Sequence, residues 1–118
     1  EETEIVVGVL QKQHGINAPV DLAQITHLLC EDIAGDLGID FHVYSSEHLL
    51  ASSKQELFTA ELLDERLDAD ALIDIELKRK GFYVEHESIG TFPYIVGYRP
   101  MVSEAGNVIG IVSVPTLF

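Results

Sequence analysis

An α+β domain built on one five-stranded antiparallel sheet is the fold this chain predicts, and three observations predict it. The last third, Gly81–Phe118, reads as three successive strands rich in β-branched and aromatic residues, broken at Ile89-Gly90-Thr91 and at Ser103-Glu104-Ala105-Gly106-Asn107. Two shorter apolar runs, Phe41–Tyr44 and Leu49–Ser52, flank the polar turn Ser45-Ser46-Glu47-His48 as a hairpin. The segments before that hairpin, and between it and the last third, carry apolar residues at helical spacing. The predicted order is therefore helix, two strands, helices, three strands.

Each element has its own signals. Residues 2–13 can form a helix, although Gly8 and the β-branched Ile5-Val6-Val7 weaken it, and His14-Gly15 ends it. A second helix is expected to start near Asn17-Ala18-Pro19, with a capping residue and an early proline. Leu22, Ile25, Leu29, Ile33 and Leu37 then form one apolar stripe, closed by Gly38. After the hairpin, Ser53 with Glu56 matches a capping box for a helix over Lys54–Leu67, with Leu57, Phe58, Leu62 and Leu63 inward. Asp68 or Asp70 caps a last helix, in which Leu72, Ile73, Ile75 and Leu77 lead to the basic end Lys78-Arg79-Lys80, complementing the helix dipole before Gly81 ends it. The whole, 1–118, is expected to be one domain. Residues 1–37 form an N-terminal helical segment over one face or edge, residues 40–118 the sheet with its inserted helices, and Gly81–Phe118 its inner three strands.

Composition bounds the function. The 118 residues carry 20 acidic and 7 basic side chains, a formal net charge of −13. A field of that sign disfavours nucleic acid as a partner. A hydrophobic share of 47% is enough to build a core. The one cysteine, Cys30, excludes an intrachain disulfide and any CxxC motif, and its place beside the Leu22 stripe reads as packing. No apolar run approaches the roughly 18 residues needed to span a bilayer, and the start Glu-Glu-Thr-Glu is no signal peptide. The helical start and the apolar end Val114-Pro115-Thr116-Leu117-Phe118 are expected to be cuts from a longer protein.

Catalytic chemistry finds little to stand on. The five histidines, His14, His27, His42, His48 and His86, form no helical i, i+4 pair and no H-E-x-x-H motif. In Glu85-His86-Glu87, strand alternation sends His86 opposite to both glutamates. No serine sits in a G-x-S-x-G elbow and no glycine-rich phosphate loop occurs. No catalytic residue, metal ligand or cofactor is expected. The aromatic strand is the better candidate site. Phe92, Tyr94, Val96 and Tyr98 share one face, and Ile95, Gly97 and Arg99 the other. An arginine among tyrosines in so acidic a chain can pin a small carboxylate; alternatively, the aromatics are core and Arg99 pairs with a surface glutamate.

Asp40–Phe118, about two-thirds of the chain, resembles the extracytoplasmic PAS-like (Cache, or PDC) sensor domain of bacterial membrane histidine kinases. The matching stretches are Leu49-Leu50-Ala51-Ser52-Ser53 with Gln55-Glu56-Leu57-Phe58, then Phe92-Pro93-Tyr94-Ile95-Val96-Gly97-Tyr98-Arg99-Pro100, then Gly106–Pro115. The resemblance implies a non-enzymatic, membrane-anchored sensing domain outside the cytoplasm. It implies a small ligand, such as an organic acid or amino acid, beneath the helices that follow the second strand. Tyr94, Tyr98 and Arg99 would then meet the ligand, with His42, Tyr44, Phe58 and Tyr83 as walls. A homodimer through the N-terminal helices is expected, on the apolar face of Ile5, Val9 and the Leu22 stripe. The rival readings are an intracellular PAS, roadblock or profilin-like interaction module, and a small hydrolase or metal-dependent enzyme using His42 or His86.

Overall fold

The computed structural model describes residues 1–117, with the backbone alone at Leu117, so the expected strand end at Phe118 lies outside the described residues. Its sheet contains β1 (His42–Ser45), β2 (His48–Ser52), β3 (Tyr83–Ile89), β4 (Phe92–Val102) and β5 (Val108–Leu117), in the order β2-β1-β5-β4-β3. Every neighbouring pair is antiparallel. The closing strands are not all inner ones, as the sequence suggested. β3 is an edge, while β1 inserts beside β5 through the pairs His42↔Ser113, Val43↔Val112 and Tyr44↔Ile111. That long-range pairing has no local sequence signal. The hairpin turn Ser46-Glu47 holds both residues at positive φ, as a two-residue β-turn requires, without the usual glycine.

One face of the sheet carries the N-terminal helical segment. Helix α1 (Glu2–Gly8) continues as a wider π turn over Val9–Gln13 and stops at Gly15, whose φ is +69°. Val6, Leu10, Ile16, Ile25, Cys30 and Ile33 from this segment pack with Phe41, Val43, Met101, Val112 and Val114. Cys30 is fully buried, and burial first, then the Glu31 carboxylate, pushes its thiol up to about 12, leaving an unreactive packing group. No helix among the described residues is long and apolar enough to cross a membrane.

The expected single helix from Asn17 to Leu37 is two pieces. Pro19–Gln24 forms a 3₁₀ turn with Ala18, not Asn17, at the cap position, and Asp21 Oδ2 reaches back to accept from the Asn17 and Ala18 amides, both at 2.9 Å. Ile25 is then extended, and Thr26 starts the separate helix α2 (His27–Leu37) by accepting the Leu29 amide at 3.1 Å. A side-chain cap thus interrupts an apolar periodicity that runs straight through it. Gly38, at φ +69°, ends α2 as expected. Thr26→Ala is expected to cost about 1 kcal/mol, measured by urea denaturation.

The segment after the hairpin departs furthest from expectation. Helix α3 covers only Gln55–Thr59. Ser53 does not cap it; its hydroxyl accepts the Phe41 amide at 2.9 Å and contacts Asp40, tying down the start of β1. Glu61 turns to φ +59°, and Leu62, expected inward, is 55% exposed. Residues 65–67 run extended along the hairpin instead. Leu49 N donates to Glu65 O at 2.6 Å and Leu67 N to Glu47 O at 2.7 Å. Tertiary pairing with a free sheet edge outweighs helical composition there.

Helix α4 (Ala69–Leu72) then begins at Asp68, whose Oδ2 accepts the Ala71 amide at 3.1 Å, and continues as a π turn over Ile73–Leu77. Ile75 is buried, but Ile73 and Leu77 face outward because the wider turn rotates them away from the sheet. The basic end pairs with a particular acid: Lys80 Nζ lies 2.8 Å and Lys78 Nζ 3.6 Å from Asp74. Arg79, at φ +57°, makes the left-handed exit expected of Gly81. Residues 60–77 form a flap over the second sheet face, where Leu67, Ala71 and Ile75 pack with Tyr44, Tyr94, Val96, Tyr98 and Ile111.

Candidate functional site: the cavity under the flap

Strand alternation decides which side chains reach the space between sheet and flap. On that face β1 contributes His42 and Tyr44, β4 contributes Tyr94, Val96 and Tyr98, β5 contributes Ser113 and Pro115, and β3 contributes Glu87. The flap adds Leu63, Asp64, Arg66, Leu67, Asp68 and Ala69, and the whole encloses a cavity of about 310 Å³. A second hollow, of about 570 Å³, shares His42, Leu63, Tyr94 and Pro115 with the first and extends under α3. Two volumes meeting at shared side chains leave room for a small ligand between sheet and flap.

The expected site residues divide in two. The structure brings His42, Tyr44, Tyr94 and Tyr98 together in the cavity. Phe58 and Tyr83, expected as walls, stay outside that lining and contact it through its rings: Phe58 stands edge-on to His42, with centroids 4.9 Å apart, and the Tyr83 ring lies 6.0 Å from that of Tyr98. Arg99 is not brought there. It leaves β4 on the opposite face, where Nε donates to Thr3 Oγ1 at 3.1 Å and a terminal nitrogen donates to Glu1 at 3.2 Å. Its guanidinium also sits 5.3 Å from the centre of the Phe82 ring. Alternation placed Arg99 opposite the tyrosines in the sequence as well. Gly97 lets this cluster close, since a Cβ there would lie 3.3 Å from both Phe82 and Thr3.

The cation that does border the cavity is Arg66, which sequence reading passed over because it was assigned to a helix. It becomes visible only once residues 65–67 are seen to run along the hairpin. The surrounding charge is negative. The Tyr98 hydroxyl donates to Glu87 at 2.8 Å. Burial, then the Glu87 carboxylate, raises the phenols of Tyr44 and Tyr98 well above the usual range, and that of Tyr94 to about 12, so all three stay neutral donors.

Glu85, one pleat from Glu87, meets Asp68 and Asp70, and carboxylate oxygens of the three lie within 4.8 Å of one another. Burial first, then a hydrogen bond shared with Asp68 and the charges of Asp68, Glu87 and Asp70, hold the Glu85 carboxyl up to about 8. At neutral pH the Glu85 carboxyl is therefore protonated where β3 meets the start of α4. His86 points out of this face, as alternation predicted, and is exposed.

His42 is a buried polar group of the cavity lining. It is 3% exposed, its Nδ1 lies 2.7 Å from Ser52 Oγ, and its Nε2 has no hydrogen-bond partner. Burial lowers its pKa to about 4, against a smaller opposing effect of Asp40, so the ring is neutral. The remaining histidines serve elsewhere: His27 Nδ1 accepts the Ser52 amide at 3.0 Å, and His48 stands at the hairpin turn.

No family model and no curated protein sequence matches the chain. Among solved structures it is similar to the sensor domain of E. coli DcuS, at 12% identity and a TM-score of 0.54, over 77% of this chain and 65% of that one. It is also similar to the sensor domain of the V. cholerae histidine kinase DctB, at 13% identity and a TM-score of 0.55, over 98% of this chain and 43% of that one. The chain thus spans just under two thirds of the first and under half of the second. The fold is the PAS-like sensor-domain fold that the order of elements predicted.

Proposed function

We propose that this chain is the extracytoplasmic signal-sensing domain of a membrane histidine kinase, and that it binds a small metabolite between sheet and flap. The observation that carries the reading is the cavity itself, lined from both sides, in a fold shared with sensor domains. Among the described residues two backbone hydrogen bonds tie the flap to the hairpin, and side-chain packing and the Glu85 contact with Asp68 hold it to the sheet. A ligand touching both sides favours the closed arrangement by its differential affinity, which is all a signal requires. Arg99 links α1 to β4 on the far face, so a shift in β4 reaches the N-terminal helix directly. Dimerisation through the N-terminal helices would deliver that shift to a membrane-anchored partner copy.

Thermal-shift screening with organic acids and amino acids tests the cavity. A ligand-dependent rise in Tm is expected in the wild type and in Arg99→Ala, and it should vanish in Ala69→Trp, which fills the mouth from the exposed flap. Hits that raise the Tm of Ala69→Trp equally would place binding elsewhere. In the parent gene, hydrophobic spans before Glu1 and after Phe118 are expected, and their absence would defeat the membrane assignment.

A further inference from the structure

Charge around the cavity narrows the ligand class. Of the side chains that line it, Asp64, Asp68 and Glu87 are acids and Arg66 alone is a permanent cation. Asp70 and Glu85 stand directly behind Asp68. A ligand carrying only carboxylates would set its charge against this wall. A positive group meets the reverse, with Glu87 presented from the sheet and Asp68 from the flap. Tyr44, Tyr94 and Tyr98, neutral phenols, line the space between them.

An independent observation comes from the cavity floor. Ser52 Oγ accepts the Lys54 amide at 2.8 Å and, among the described residues, has His42 Nδ1, at 2.7 Å, as the acceptor open to its own proton. The ring proton of the neutral imidazole therefore sits on Nε2, which is buried and has no acceptor. A buried donor without a partner costs stability that a ligand oxygen recovers.

We propose that the cavity takes a small metabolite with a protonated amino group, held between Glu87 and Asp68, and an oxygen acceptor for His42 Nε2. This deepens, and rests on, the sensing role proposed above. Binding also places a positive charge beside the protonated Glu85 carboxyl, whose oxygen lies within 4.8 Å of one on Asp68, so that proton leaves as the amine enters.

Isothermal titration at pH 7 tests the proposal, with the twenty common amino acids, ethanolamine, putrescine and succinate as probes. An amino acid or ethanolamine is expected to bind. Glu87→Gln and Asp68→Asn, which keep the Tyr98 and Ala71 hydrogen bonds, should weaken it about tenfold to a hundredfold. Glu65→Gln, on the exposed outside of the flap, removes the same charge and should leave affinity within about twofold. Proton release, read from titrations in two buffers of different ionisation enthalpy, should disappear in Glu85→Gln. Succinate binding alone would overturn the amine while leaving the sensing role standing. Putrescine binding alone would overturn the His42 acceptor. A binder indifferent to both Glu87→Gln and Asp68→Asn would overturn the proposed contacts, and no binding by any probe would overturn the proposal together with the role it rests on.

Discussion

Ile75→Ala is expected to lower the unfolding free energy by about 2–5 kcal/mol, the range for truncating a fully buried aliphatic side chain. More telling is where the loss appears. Ile75 is fully buried in the π turn that follows α4, and it packs in the cluster that contains Tyr94, Val96 and Tyr98. Short helices contribute little stability of their own, so the flap depends on that packing and on the hydrogen bonds from Leu49 and Leu67. Hydrogen exchange in Ile75→Ala should therefore speed first at the amides of Ala71, Leu72, Leu49 and Leu67. Amides of the long β4–β5 ladder should keep most of their protection. Leu77→Ala, in the same turn but at a residue 75% exposed, should change stability by no more than about 0.5 kcal/mol. Uniform loss of protection in Ile75→Ala would mean that flap and sheet open as one unit, and a ligand could not gate the flap separately.

The contrast between Ile75 and Leu77 shows what was legible in the sequence. Element order and the sheet came through because β-branched and aromatic runs alternate cleanly between glycine turns, as in Tyr83–Ile89, where every second residue is exposed. The Asp68 cap came through because it is a local side-chain-to-backbone bond. The flap did not. Its helical composition implied regular 3.6-residue spacing, whereas two non-glycine residues at positive φ, Glu61 and Arg79, and one π turn redirect the chain. These features answer to tertiary partners, namely the hairpin edge and the Asp74 ion pairs. The cavity lining shows a related contrast. Tyr94 and Tyr98 share one face of β4 as alternation implied, while Glu87 on β3 and Arg66, Asp64 and Asp68 on the flap join them only through the tertiary fold.

Glu85→Gln is expected to abolish the fall of stability with rising pH above neutrality. Below about pH 4.5 the Glu85 carboxyl is protonated in both folded and unfolded chains, and its burial beside Asp68, Asp70 and Glu87 costs nothing extra. Between there and about pH 8 the unfolded chain gives up the proton and the folded chain keeps it. Stability is then lost as pH rises, at no more than about 1.4 kcal/mol per unit, until the folded carboxyl ionises as well. Solvent at this partly open cluster reduces the sum to about 2 kcal/mol. His42 acts in the opposite sense. Its folded pKa is lowered from 6.5 to about 4, so stability falls as pH drops through that interval and the unfolded chain takes up the proton. A wild-type maximum near pH 6 follows, and Glu85→Gln should abolish the decline on its alkaline side while leaving the acid limb in place. Urea denaturation from pH 5 to 9 on both proteins reads this directly. Parallel curves would show that folding does not raise the Glu85 carboxyl. If the curves diverge as expected, the carboxyl whose burial costs stability above about pH 4.5 sits next to the proposed amine site, and proton and ligand compete for one position between β3 and α4.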